Sequence, residues 1–304
     1  MVNNINMHTP STCHLCHSKK RKTLYLIKKS SIVKCTGCGL IYTYPPPDTR
    51  KITSIYNKDY FYKRGNYGYS DYGYIDGSEH REKEAQEKIR IVKKYVRSGL
   101  LLDIGCAAGY FLSEAQKNGF STKGIEISSF ASDYAKNSFN LDVENISILD
   151  IDDTYTNFDA VTMWDILEHL PNPLKALKII YSILRDEGYL FLEMSDVNSL
   201  KRFIEKEKWT HWKQDEHFLH FSQRTLSTLL KKAGFSTIAA HNDTYSFPLS
   251  EEWAAKIKDF SRSRGRKRKL YSSLPLYLLE KIPFGFERTF LIAKKSKPAF
   301  SHTK

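Results

Sequence analysis

Residues Leu100 to Glu126, LLLDIGCAAGYFLSEAQKNGFSTKGIE, decide how the rest of the chain is read. An apolar run from Leu100 to Ile104 ends in a loop of small residues, Gly105-Cys106-Ala107-Ala108-Gly109. Phe111, Leu112 and Ala115 then share a helical face that stops at Asn118-Gly119, and a second apolar run passes Gly124 and Ile125 to Glu126. This is a strand, a glycine-rich turn, a helix, a strand and an acid at its end. A loop of Gly and Ala lets the backbone approach a ligand, and the following helix offers unpaired N–H groups. Glu126 falls where a carboxylate accepts hydrogen bonds from two neighbouring ribose hydroxyls.

The flanks repeat the alternation. Ala85, Ile89, Val92 and Val96 recur at helical spacing over 80–97, and Ser98-Gly99 stops that helix. Beyond Glu126, Ser128 or Ser129 caps a helix to about Asn137. Residues 146–151 read as a short strand with Asp150 at its end, and Phe158 to Asp165 as a buried one. Pro173 opens a helix with Leu174, Leu177, Ile180, Tyr181 and Leu184 on one face, and Asp186-Glu187-Gly188 turns into a strand at 189–193. Ser222 caps a helix that ends at Gly234, and strands follow at 237–240 and 289–294. Alternation of this kind predicts an α/β, doubly wound sheet.

Asp103-Ile-Gly-Cys-Ala-Ala-Gly109, with an acid after the next strand, resembles the cofactor-binding start of class I S-adenosylmethionine (SAM)-dependent methyltransferases. The dinucleotide fingerprint Gly-x-Gly-x-x-Gly competes, but the spacing here is Gly-x-x-x-Gly. Phe158-Asp-Ala-Val161 followed by Glu168-His-Leu-Pro-Asn-Pro173 is similar to small-molecule methyltransferases of the same class. The resemblance covers about residues 85–243 and the last strand. It implies a Rossmann-like seven-stranded sheet closed by an antiparallel edge, with SAM as cofactor. Asp103, Gly105, Cys106, Ala107 and Gly109 would then hold the methionyl part, and Glu126 the ribose. Asp150 would lie by the adenine, unless it caps something local, and Asp165 or its neighbours Met163 and Trp164 would wall the site. Cys106 suits packing better than nucleophilic attack. A His217-x-x-His220-Phe-Ser run looks like a pattern on the acceptor rim of these enzymes. His217, His220 or His169 is therefore the candidate general base, with His217 favoured as substrate-facing. His217 and His220 share a pocket only if their segment is tightly turned; in an extended strand they point apart.

Ahead of this domain, Cys13-x-x-Cys16 and Cys35-x-x-Cys38 have the spacing of a zinc ribbon. Four thiolates complete a tetrahedral site with no open position, so the Zn²⁺ is expected to be structural. His14 and His17 are expected to be bystanders, and residues 24–27 and 31–34 alternate like a small hairpin. Three prolines, Pro45 to Pro47, end the module. A Tyr-rich joint with Tyr56, Tyr60, Phe61, Tyr62, Tyr67, Tyr69, Tyr72 and Tyr74 reads either as a packing layer or as a lid over a substrate pocket. The organisation is thus a ribbon (1–47), a joint (48–79) and a methyltransferase domain (80–304), with 244–286 inserted before the last strand. That insertion carries the basic run 262–269 beside an apolar stretch, suited to an anionic membrane surface, a phosphorylated substrate or plain solvation.

The 304 residues suffice for one α/β core and a small accessory module. No apolar run is long enough to span a bilayer and no secretory h-region is present, so a cytoplasmic location is expected. The formal charge of +13 is concentrated at both ends. Zinc-headed enzymes with a similar joint methylate bacterial sugars and surface polysaccharides, which favours O-methylation of a small-molecule or glycan acceptor, such as a lipid- or nucleotide-linked saccharide. The alternative is an RNA methyltransferase whose ribbon and basic ends hold the phosphate backbone. Against it, Met163-Trp-Asp165-Ile replaces the Asn/Asp-Pro-Pro-Tyr box of base-amino methylation. A binding module with an inactive core is the third class.

Overall fold

In the computed structural model of the chain, residues 12–62, 73–242 and 287–296 are described. Tyr67, Tyr69 and Tyr72 of the joint, the basic run 262–269 and the insertion 244–286 around it lie outside them. The ribbon is a meander of β1 (Arg21–Ile27), β2 (Ser30–Cys35) and β3 (Ile41–Tyr44). The third strand is absent from the sequence reading. It exists because β3 continues the ladder onto β9 (Leu219–His220), a strand of the larger domain, with Ile41 opposite His220. Both faces of the ribbon are covered. Leu15, Val33, Leu40 and Tyr42 join Phe218, Phe221 and Leu226 in the main core, and Ile32 and Ile41 pack on Trp209 and Trp212.

The joint is helical where described, rather than irregular. Asp48 caps α1 (Thr49–Ile55) by accepting from the Arg50 N–H, and α2 (Lys58–Tyr62) follows. Tyr60 and Phe61 pack with Ala108 and Tyr110, directly over the glycine-rich loop. Helix α3 (Ser78–Lys93) then leads into the main sheet.

That sheet alternates as expected: β4 (Gly99–Ile104), α4 (Tyr110–Lys117), β5 (Phe120–Ile125), α5 (Ser129–Phe139), β6 (Val143–Glu144), β7 (Phe158–Trp164), α6 (Pro173–Ile183) and β8 (Leu184–Ser195). After α7 (Leu200–Glu205), α8 (Gln223–Lys232) is fixed by reciprocal bonds between Ser222 and Thr225. Strands β10 (Phe235–Asn242) and β11 (Arg288–Lys295) complete the order β10-β11-β8-β7-β4-β5-β6. The antiparallel strand, β11, is not the edge: it lies between β8 and β10. Phe290 to Ala293 are all buried, as a strand covered on both faces requires. Helices α6 and α8 cover one face through Leu177, Ile180, Leu226 and Leu230. Helices α3 and α4 cover the other through Ile89, Val92, Phe111 and Leu112, each such side chain contributing about 1.5–3 kcal/mol. Among the described residues no helix is long and apolar enough to cross a membrane.

The strand expected at 146–151 does not form. The ladder to β5 stops after Glu144, where the Asn145 side-chain amide donates to the Glu126 carbonyl oxygen at 2.7 Å and takes over its satisfaction. The Ser147 hydroxyl then accepts from the Leu149 N–H, turning the chain. Ile146, Ile148, Leu149 and Ile151 still reach the core, but from a turn. Their apolar run signals burial without extension.

Candidate functional site

Neighbouring strands β4 and β7 begin the two oppositely progressing halves of the parallel sheet, so a crevice opens at their carboxyl ends. The loop after β4 occupies it. Gly105 has φ +71°, and a Cβ there would collide with the Ile166 side chain; Gly109 has φ +87° and would meet Leu141 and Ala135. Only glycine serves at either position. Glu126, 7% exposed, accepts hydrogen bonds from the N–H groups of Ala107 (2.9 Å) and Ser128 (2.8 Å), tying loop, strand end and α5 together. Burial raises its carboxyl above the usual range. Asp103 lies beneath the loop, accepting from the Thr162 hydroxyl at 2.6 Å; burial, opposed by that bond, pushes it up to about 7. Cys106 is buried, with its thiol raised well above normal by burial, and packs beside Leu112. A shaped backbone cradle with a buried acid nineteen residues on fits the methionyl and ribose parts of SAM.

Asp150 is exposed in the turn after Ser147 rather than at a strand end. Met163 is wholly buried in the core, and Trp164 packs between Phe111 and Phe290, with ring centroids 5.0 and 5.4 Å away. Of the three residues expected to wall the site, Asp165 alone stands at the rim, where its carboxylate pairs with Arg288. Against its burial, Arg288 and Lys88 hold that carboxyl low. Behind it runs a charge network invisible in the sequence: Arg288 also meets Glu193 (2.9 Å), and Glu193 meets Lys88 (3.1 Å), which bonds Glu84 (2.7 Å). A second buried cluster joins Glu287 to Lys201 (2.7 Å) and His211 (2.6 Å). Against burial, His211 and Lys201 hold the Glu287 carboxyl down to about 2.

The histidines converge across the crevice. A tight turn, in which the His217 N–H donates to the Lys213 carbonyl oxygen at 2.7 Å, precedes β9. The rings of His217 and His220 consequently come within 5.9 Å of each other. His169 lies on the short 3₁₀ turn Leu167–His169 after β7, its ring 4.4 Å from that of His217 and nearly perpendicular. Its Nδ1 is hydrogen-bonded to the Tyr56 hydroxyl at 2.8 Å. His220 faces the ribbon instead: its Nε2 is 3.2 Å from the Thr43 hydroxyl and its ring abuts Trp212. Burial holds His169 and His220 down to about 3 and His217 well below its usual value, so all three imidazoles are neutral. Glu168, 2% exposed, is pushed up to about 8 by burial and by the Asp165 carboxylate. Tyr56 and Glu168 appear in the sequence only as a tyrosine of the joint and as part of a motif, with no role at the site assigned to either. Glu168 precedes a chosen histidine, and Tyr56 is hidden among many tyrosines.

The four cysteines gather as their spacing predicts. One Sγ from each lies within 4.8 Å of the others, with Cys13–Cys38 and Cys16–Cys35 both at 3.5 Å. Zn–S bonds of about 2.3 Å set tetrahedral sulfurs roughly 3.8 Å apart, so the quartet fits one metal ion. The Arg224 guanidinium and the Lys232 ammonium donate to the carbonyl oxygens of Cys38 and Leu15, clamping the knuckles to α8.

A family model described as a methyltransferase domain matches residues 78–240. The ubiquinone biosynthesis O-methyltransferase of Coxiella burnetii (strain Dugway 5J108-111) is 29% identical over 125 residues, covering 39% of this chain and 50% of the relative. The chain thus spans about half the length of the curated relatives it matches. Among solved structures, a SAM-dependent methyltransferase from Archaeoglobus fulgidus superposes with a TM-score of 0.51 at 21% identity, over 71% of this chain and 94% of that one. Phosphoethanolamine N-methyltransferase 2 of Haemonchus contortus, in complex with SAM, gives 0.50 at 17% identity, over 70% and 53%. At such identities these structures speak for the fold alone.

Proposed function

The chain belongs to the methyltransferase-domain family, and from that premise we propose that it moves a methyl group from SAM to an oxygen of a small-molecule acceptor. A sugar or a lipid- or nucleotide-linked saccharide is the finer expectation. The observation that carries the proposal is the meeting of the buried Glu126 carboxylate with the glycine-rich loop at the carboxyl ends of β4 and β5. That the curated relatives are named O-methyltransferases supports oxygen as the acceptor atom.

Bound in the crevice, SAM supplies a methyl group already activated by its sulfonium. The backbone of Gly105, Cys106, Ala107 and Gly109 holds the methionyl part, with Asp103 bracing the loop from below. Glu126 accepts from the ribose hydroxyls. Asp165 lines the rim, and the neutral ring of His217, whose Nδ1 has no hydrogen-bond partner among the described residues, accepts a hydrogen bond from the acceptor hydroxyl, aligning its oxygen with the methyl group. His169, held by Tyr56, packs against that ring. Cys13, Cys16, Cys35 and Cys38 hold a structural Zn²⁺ that fixes β3 against β9.

Calorimetry with SAM and S-adenosylhomocysteine, followed by turnover against sugar nucleotides, glycolipids, phenolic alcohols and total RNA, tests the proposal. Heat with a nicotinamide dinucleotide and none with SAM overturns it. The exposed Lys19, Lys20, Lys22, Lys28 and Lys29 of the ribbon favour the RNA alternative, which salt-sensitive RNA methylation without small-molecule turnover would establish.

A further inference from the structure

We infer that the outer hairpin of the ribbon, β1 with Leu26 and the turn Lys28-Lys29, docks on an anionic membrane surface and so presents a lipid-linked acceptor to the crevice. The docking stands by itself, whereas the lipid-linked acceptor rests on the proposed methyl transfer. Residues 12–47 carry seven Lys/Arg and no Asp/Glu, while 51–243 carry 25 basic against 28 acidic residues. A zinc–tetrathiolate centre removes only part of that positive charge. Lys19, Lys20, Lys22, Lys28 and Lys29 are all exposed, and β1 is the outermost strand of its sheet. Charge of one sign at one end of a nearly balanced body turns that end towards a negative surface.

Lysines alone would serve the phosphates of RNA as well as those of lipid, and the uncharged side chains decide between them. Leu26 is 80% exposed, whereas Tyr62 and Ile238, the other large apolar side chains in solvent among the described residues, are 38% and 43% exposed. Its cross-strand partner is Ser31, which gives it no apolar cover. Two residues on, the chain turns through Lys28 and Lys29. An aliphatic side chain beside two ammonium groups suits the boundary of headgroups and acyl chains, where the leucine enters and the lysines meet phosphate. Base stacking would want a bare ring. The tyrosines of the ribbon are taken: Tyr25 packs on Trp212 with centroids 5.7 Å apart, Tyr42 is 2% exposed, and the Arg21 guanidinium lies 3.7 Å from the Tyr44 ring centroid.

The ladder carries the hairpin to the acceptor side. Tyr25, next to Leu26, is opposite Ile32, and Ile32 is opposite Thr43. Two strand spacings of about 4.8 Å put Thr43 roughly 10 Å from Tyr25. The Thr43 hydroxyl donates to the His217 carbonyl oxygen at 2.7 Å, beside the acceptor-side histidines. A sugar carried on a headgroup at the hairpin is thus brought close to the crevice.

Sedimentation of the full, zinc-loaded chain with vesicles at low salt is the test, comparing phosphatidylcholine alone with phosphatidylcholine containing about one-third phosphatidylglycerol. The anionic vesicles should carry the chain down and the neutral ones should not, and salt at about 0.5 M should release it. Each lysine near such a surface strengthens binding about fivefold, so K22Q/K28Q/K29Q should weaken it by about 100-fold. L26S should weaken it by about tenfold with the charge unchanged. Zinc content of one per chain and unchanged S-adenosylhomocysteine binding certify that each variant is folded; if the triple variant fails either criterion, L26S decides. No preference for the anionic vesicles, or undiminished binding in a folded variant, overturns the surface. RNA binding that the triple variant loses, in a chain that leaves vesicles alone, overturns it in favour of RNA. Turnover of soluble sugar nucleotides without vesicle binding removes this surface alone. Vesicle binding by a chain that binds no SAM keeps the surface and removes the methyl-transfer proposal.

Discussion

The two sides of the crevice are built on opposite plans. The cofactor side is local: loop, acid and capping serine come from one unbroken run, and its key bond joins residues nineteen apart. The acceptor side is assembled from afar, with Tyr56 and His169 113 residues apart and Thr43 and His220 177 apart. Short-range contacts shape the first, whereas the second exists only once the ribbon, the joint and the sheet have docked. Cofactor affinity and turnover should therefore be separable.

The largest effect expected on the cofactor side is that of E126A. Losing two charge-assisted bonds to the ribose, at about 1.5–3 kcal/mol each, should weaken S-adenosylhomocysteine by roughly 100-fold or more in calorimetry. The histidine cluster should keep its proton resonances. Next comes C35S, or stripping of the ribbon metal by a chelator. Turnover should fall by at least about tenfold, as for the loss of a metal's supporting shell, while cofactor affinity changes little. Equal losses in both would erase the distinction between the two sides.

The sides should also answer pH in opposite directions. Glu287, on the acceptor side, has its carboxyl depressed from 4.5 to about 2. Its stabilisation, about 3 kcal/mol from the shift, is present above the unfolded value near pH 4.5 and is lost as pH falls through the folded one. Asp103, beneath the loop, is raised from 3.8 to about 7. Its contribution is fully present below pH 3.8 and is lost as pH rises through about 7. Denaturant unfolding should show E287Q flattening the loss of stability below about pH 4.5 and D103N the loss between pH 3.8 and about 7; identical profiles for parent and variants would remove the contrast. Smallest is Y56F, where the loss of one neutral hydrogen bond, about 1 kcal/mol, predicts a fall of roughly fivefold in kcat with cofactor binding intact.

The same contrast sets what was legible in the residues. Gly105, Gly109 and Glu126 announce themselves because backbone angle and strand order constrain them within one short stretch. The cysteine quartet does so by spacing. Asp150 misled because Ile146, Ile148, Leu149 and Ile151 make an apolar run, and such a run reports burial without reporting whether a neighbouring strand continues. The joint hid two helices: the cap at Asp48 was there to be seen, but Tyr and Gly dominated the stretch after it. Lys88 sits among the charges of an amphipathic helix and looks solvated, yet it is 6% exposed and paired with Glu193 of β8. Side-chain partners so far apart in the chain leave no local pattern.

The ladder between β3 and β9 has a practical consequence. A truncation that begins after Pro47 would uncover one flank of Leu219–His220, bare its N–H and C=O groups, and strip the cover from Phe218, Trp209 and Trp212. Such a sticky border recruits other chains. The first fifty residues are best handled as a rib of the larger domain, and a trimmed catalytic core should be sought in aggregates before it is sought in solution.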